Sequence, residues 1–155
     1  MKTMDRRDFL KMAGAGAAVV AGAAMPVAGF FAWNGKDILR FRAVAGMPKA
    51  PLPTYASYVI EGQVDIRART GQLAKSLYAG APEAMSGIVF PGTSRTIRVT
   101  NVQRTGGTLL ISGEITEPAT LLKGEVPSFS ILVDRANGVA QADFLGSKVL
   151  MRLDD

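Results

Sequence analysis

The chain is predicted to be mainly β: a small antiparallel β-sandwich or barrel of about seven to eight strands. Three observations carry that reading. From residue 39 onward, short segments alternate apolar and polar side chains with the period of a half-buried strand. Glycine-bearing turn signals separate these segments at short intervals. In the segment 94–116, apolar matching and a charge pair select the same strand register.

The first strand is expected where Leu39, Phe41 and Ala43 alternate with Arg40, Arg42 and Val44. Gly46 to Pro53 follows as a loop, because three prolines in seven residues cannot sit in a central strand. A first hairpin is expected from Tyr58–Arg69, a Thr70-Gly71 turn, and Gln72–Ala79. It pairs Ala68 with Leu73 and Val64 with Leu77, and sets Val64, Ile66, Ala68, Leu73 and Leu77 on one face. Lys75 breaks that face, and a short helix over 72–79 with Leu73 and Leu77 at i,i+4 is the alternative.

Gly80–Pro91 is less regular. Pro82 and Gly87 frame one helical turn over 82–86. Met85, Ile88, Val89 and Phe90 make this an apolar loop, expected to fold over the core, with the lip of a pocket as the alternative. The second hairpin joins Ser94–Arg104 to Thr108–Thr116 through Thr105-Gly106-Gly107. A three-residue loop sets Ile97 opposite Ile115 and Arg98 opposite Glu114, whereas a two-residue loop would place Ile115 opposite Arg98 and mix the faces. Pro118–Pro127 is a connector with a short turn at Leu121-Leu122. The third hairpin joins Phe129–Asp134 to Val139–Leu145 through Arg135-Ala136-Asn137-Gly138. There Phe129, Ile131 and Val133 face Ala140, Ala142 and Phe144. Gly146-Ser147 then turns into a last strand, Lys148–Leu153, with Val149, Met151 and Leu153 inward.

Ahead of this domain stands Asp5-Arg6-Arg7-Asp8-Phe9-Leu10-Lys11 and an uncharged run from Met12 to Gly35. Arg6, Arg7, Phe9, Leu10 and Lys11 match in order the pattern of twin-arginine export signals, which the segment resembles. Asp5 departs from the Ser or Thr commonest in that family at its position. The resemblance implies an N-terminal signal helix, recognition by the twin-arginine export machinery, transport of an already folded passenger, and an extracytoplasmic address in the periplasm or on the outer face of the cytoplasmic membrane. Residues 1–32 are therefore read as a signal segment, cleaved or anchoring, and 33–155 as a single β-rich domain. The run from Met12 to Trp33 is 22 residues, long enough to span a bilayer, but Ala and Gly dominate it and Pro26 interrupts it. Membrane contact through residues 12–33 remains the alternative to cleavage, with Trp33 at the interface.

Composition narrows the chemistry. The chain has 18 basic and 13 acidic residues. Setting aside Lys2, Arg6, Arg7, Lys11, Asp5 and Asp8 of the signal leaves 14 and 11, a net +3. No block of Lys and Arg marks nucleic-acid binding. Arg40-Phe41-Arg42 and Arg67-Ala68-Arg69 each place two arginines on one strand face, expected to be solvated or, alternatively, an anionic-ligand or lipid surface. The chain holds neither Cys nor His. Disulfides, protein-ligated haem, iron–sulfur clusters, the usual zinc sites and Ser-His-Asp or Cys-His catalysis are thereby set aside, and no cofactor or metal is expected.

Paired carboxylates are the one common catalytic device left open. The candidates are Glu61, Asp65, Glu83, Glu114, Glu117 and Asp143, each expected to be a surface charge. Glu61 and Asp65 share a strand face but lie about 13 Å apart by strand rise, too far for a typical pair. No catalytic residue is assigned. The function expected is a non-catalytic extracytoplasmic domain that is accessory, partner-binding or small-ligand-binding, with a larger co-exported protein as a candidate partner. A carboxylate-dependent hydrolase or lyase and a membrane-tethered envelope structural protein are the alternatives.

Overall fold

A computed structural model describes residues 37–47 and 55–154. The signal segment 1–32, its expected helix and most of the proline-rich loop lie outside the described residues. The described chain forms a closed antiparallel barrel. Its strands are β1 (Ile38–Met47), β2 (Ala56–Asp65), β3 (Thr70–Ala79), β4 (Arg95–Thr105), β5 (Thr108–Ile115), β6 (Ser128–Asp134), β7 (Val139–Phe144) and β8 (Ser147–Leu153). Each strand pairs with its sequence neighbour and β8 returns to β1. Of the two predicted architectures, the barrel is the one formed. The connections at 80–94, 116–127 and 145–146 share one end, called the upper end here. Those at 66–69, 106–107 and 135–138 share the other.

Period-two patterning fills the interior. Leu39, Phe41 and Ala43 of β1, Ile97 and Val99 of β4, Ile111 of β5, Ile131 and Val133 of β6, and Met151 of β8 are buried in one cluster. Burying such side chains supplies roughly 1.5–3 kcal/mol each against leaving them exposed. Two strand glycines face large neighbours: Phe41 lies opposite Gly62, and Phe129 opposite Gly113. A Cβ on Gly113 would meet the Arg98 carbonyl oxygen at 2.5 Å, so the backbones approach there as only glycine allows.

The hairpins differ instructively from expectation. The first turns at Ile66–Arg69, not at Thr70-Gly71, and Val64 faces Gly71 instead of Leu77. That shift is six residues, an even number, so Val64, Leu73 and Leu77 still point inward. The strand over 72–79 replaces the helical alternative, and Arg67 and Arg69 lie in an exposed turn, not on a strand face. In the second hairpin Ile97 faces Ile115 and Arg98 faces Glu114, as expected. The reason is different: Thr105 pairs with Thr108 across a two-residue turn, and a bulge at Thr100 restores the register. The third hairpin pairs Val133 with Ala140 and Ile131 with Ala142. The last strand buries Met151 and Leu153.

Two seams are thin. The β6–β7 ladder ends at Ile131 and Ala142, although β6 runs on to Ser128 and β7 to Phe144. The β1–β8 ladder consists of Ala43 with Leu153 and Val44 with Arg152. The apolar loop after β3 makes a short 3-10 turn at Pro82–Ala84 and then bonds back along the upper half of β3. Phe90 packs on the main core, while Met85 and Val89 cover a small outer cluster of Val44, Val59 and Tyr78. The loop is thus a cover for the outer wall.

Candidate functional site

The interior of the upper end is charged. In β3, Leu73, Lys75 and Leu77 share the inward face; in β4, Arg95, Ile97 and Val99 do. Lys75 and Arg95 are direct ladder partners. Two cations facing each other inside a barrel repel unless an anion separates them. Glu125, from the connector between β5 and β6, supplies it. Its Oε1 lies 2.7 Å from Lys75 Nζ, and its Oε2 accepts from Arg95 Nη2 at 3.0 Å and Nε at 3.2 Å. The three side chains are 12, 2 and 7% exposed for Lys75, Arg95 and Glu125.

Arg95 also ties down the connector backbone. Its Nη2 donates to the Thr120 carbonyl at 2.6 Å, and the Leu122 N–H donates to Glu125 Oε2 at 2.9 Å. The connector therefore acts as a strap held across the mouth by an ion cluster. Burial opposes ionisation of Glu125, but the Lys75 hydrogen bond, the Leu122 N–H and the Lys75 and Arg95 charges outweigh it and hold the carboxyl below its ordinary range.

Below the cluster, the Tyr58 ring meets Phe144 with centroids 5.1 Å apart. Its hydroxyl donates weakly to the Asp143 carbonyl at 3.5 Å. Burial pushes the Tyr58 phenol well above its usual range, and the charges of Glu125 and Asp143 push it further. The enclosed space between Tyr58, Leu77 and Phe144 is about 20 Å³. A larger space opens at the barrel's edge.

That room is a cleft of about 450 Å³ at the upper β6–β7 seam. Ser128 and Ser130 line one side, Asp143 and Leu145 the other, and Lys75 and Glu125 stand within reach. Leu145 occupies the first central position of the two-residue β7–β8 turn at φ 48°, where Asn or Gly is usual. The strained leucine puts an apolar side chain on the cleft and on the mouth beside Tyr58. The two-residue turn itself demands the positive φ at this position, and the choice of leucine there is what places an apolar group on the rim.

The carboxylates singled out in the sequence are scattered. Glu61 is buried on the outer wall against Arg42, so the expected surface charges Glu61 and Arg42 are both buried. Asp65 accepts the Ala68 N–H in the first hairpin turn. Glu83 and Glu117 are exposed. Glu114 pairs with Arg98 at 3.1 Å on the surface. Glu114 and Asp143 line the cleft with Glu125, but among the described residues no group of three His, Cys, Asp or Glu residues could hold a metal ion.

Arg95, Glu125 and Leu145 were not legible as site residues in the sequence. Lys75 did leave a signal, as the one charge on an otherwise apolar strand face. The export-signal residues Arg6, Arg7, Phe9, Leu10 and Lys11 lie outside the described residues. No family model, curated protein or solved structure matches the chain.

Proposed function

We propose that this chain is exported by the twin-arginine route and works outside the cytoplasm as a non-catalytic barrel that binds a small ligand at its upper mouth. The observation that carries binding is the meeting of an open cleft of about 450 Å³ with a buried ion cluster. The volume falls within the ~300–1,000 Å³ of small-molecule sites. Mere closure of a barrel end needs no charge, since packed apolar groups usually replace buried ions at little cost or at a gain.

The chemistry of the cleft favours binding over hydrolysis. A general acid must hold its proton near the working pH, and Glu125 is held in the opposite direction. Glu114 is exposed and engaged with Arg98. A second reading, an accessory subunit exported with a larger partner, is favoured by the outer wall. There Leu110 faces Leu132, and Gln141 separates Leu132 from Leu150, all three leucines being exposed.

Fractionation of cells expressing the full chain tests export. The protein is expected outside the cytoplasm, and replacing Arg6 and Arg7 together by Lys should retain it inside; unchanged export would reject the route. Native mass spectrometry of the exported protein, followed by amide-shift mapping of any adduct, tests the rest. Shifts at Ser128, Ser130 and Leu145 are expected for a small ligand. Shifts confined to Leu110, Leu132 and Leu150 would replace the ligand reading with the accessory one.

A further inference from the structure

Resting on the reading of the mouth as a binding site, we infer that its ligand is a monoanion with a compact apolar body, whose carboxylate displaces Glu125 from Lys75 and Arg95 and so releases the strap. Glu125 is the resident occupant of an anion site built by the barrel wall. The cations belong to adjacent strands of the wall, while the carboxylate belongs to the connector. With Glu125 in place the trio carries one net positive charge; with it displaced, two. An incoming carboxylate restores the balance.

The strap is built to leave. Between Thr120 and Val126 its anchors are the Glu125 side chain, 7% exposed, and Leu121, which packs on the core, while Leu122 and Val126 are 39 and 58% exposed. Gly124 adopts φ 85°, a conformation that gives this segment a glycine joint. Its polar ties to the mouth run through the same cluster: Glu125 to Lys75 and Arg95, and the Thr120 carbonyl to Arg95, while the Leu122 N–H to Glu125 bond holds the strap's own turn. A ligand that takes over Lys75 and Arg95 therefore competes for several ties together.

The surroundings set the ligand class. Leu145, Phe129 and Val126 offer apolar contact in the cleft, and Leu122 and Phe144 stand behind them at the mouth. The rim also carries Asp143, beside the Arg98-paired Glu114, and its charge repels a multiply charged anion more strongly than a monoanion. One carboxylate on an aromatic or short branched body satisfies both conditions; inorganic phosphate does not.

Titration of the full-length protein with benzoate, benzamide, benzylamine and inorganic phosphate, followed by amide shifts and calorimetry, tests this. Glu125→Gln keeps the shape of the strap and removes the competing charge. It is expected to bind benzoate at least 10-fold more tightly than the wild type. Lys75→Met in either background should lose benzoate binding by at least 10-fold. Benzoate should also speed hydrogen exchange at Leu122, the reverse of ordinary ligand protection. Equal benzoate affinity in wild type and Glu125→Gln, or slower exchange at Leu122, overturns the displacement. Cleft shifts produced by benzamide, benzylamine or phosphate, with none from benzoate, reject the monoanion and leave the cleft a binding site. Silence of all four probes at the cleft in both proteins rejects the monoanion and the small-ligand reading together. A Glu125→Gln protein that fails to fold moves the comparison to Glu125→Ala.

Discussion

The thin β1–β8 seam implies that the barrel is closed by side chains as much as by its ladder. Arg42, on the outer face of β1, is the centre of that closure. Its Nε donates to Glu61 of β2 at 3.1 Å, its Nη1 donates to Asp154 just past β8, and the Asp154 N–H donates to the Arg42 carbonyl at 2.9 Å. The side chains of Arg42, Glu61 and Asp154 are 11, 8 and 24% exposed. Removing one partner of a buried pair typically costs ~3–5 kcal/mol, because the other charge stays behind. Two facts lower the figure. Asp154 is partly solvated and recovers hydration when released. Arg42 Nη2 is buried without a hydrogen-bond partner, a cost that vanishes with the guanidinium. Arg42→Met is therefore expected to cost about 2–3 kcal/mol.

Urea unfolding measures it. With a slope near ~1.5 kcal/mol/M, within the usual range for small domains, that loss lowers the midpoint by roughly 1.5 M. The decisive comparison is the double variant Arg42→Met with Glu61→Leu. Exchanging a buried pair for apolar side chains is commonly neutral, so the double variant should lie within about 1 kcal/mol of the wild type. Hydrogen exchange in β8 should rise in the single variant and recover in the double. A single variant within about 0.3 M of the wild type, or a double variant as unstable as the single, would refute the closure argument.

Gly62→Ala should destabilise by about 2–3 kcal/mol, since its Cβ would sit 2.8 Å from Leu73 Cα and against the Gln72 carbonyl. Gly87→Ala, with no atom within 4 Å of the new Cβ, should change the urea midpoint by less than the equivalent of ~0.5 kcal/mol. Leu145→Asn relieves a left-handed leucine and should stabilise by about 0.5–1 kcal/mol in the same assay, while weakening benzoate binding in the titration. Glu125 has a lowered carboxyl in the fold, so its contribution is complete above the ordinary value of 4.5 and is lost as pH falls through the folded value. The stability difference between wild type and Glu125→Gln should therefore be flat above about pH 5.5 and shrink on acidification below 4.5. A difference that grows on acidification would reverse the sign assigned to the cluster.

Much of the fold was legible because a strand needs only parity to choose its face. The first hairpin shows the point. Its turn lies at Ile66–Arg69, ahead of the expected glycine dipeptide, and Ala68 is exposed in it, yet Val64, Leu73 and Leu77 stayed inward because the partner of Val64 moved by an even number. The second hairpin shows the limit. Matching Ile97 with Ile115 found the register, but the same match arises from a three-residue loop or from a two-residue turn plus a bulge. Nothing at Thr100 marks the bulge in sequence; it is imposed by the strands that must close the barrel. Closure itself was not legible either, because sandwich and barrel demand the same alternation.

The site was illegible for a related reason. Parity assigns a face, and in the sequence the charge of Lys75 argues against that face. In the barrel, Lys75 does face inward, and its partner across the ladder is Arg95. Two violations of one rule at paired positions do not weaken a strand assignment; they locate an internal charge. Finding the counter-ion required the third dimension, because Glu125 lies 30 residues from Arg95 on a segment with neither strand nor helix period. An inward cation can be read from one strand, and a cationic pair from two strands in register. The carboxylate that occupies them becomes visible only when the connector lies across the mouth, and that dependence on the connector's position is what makes the site able to open.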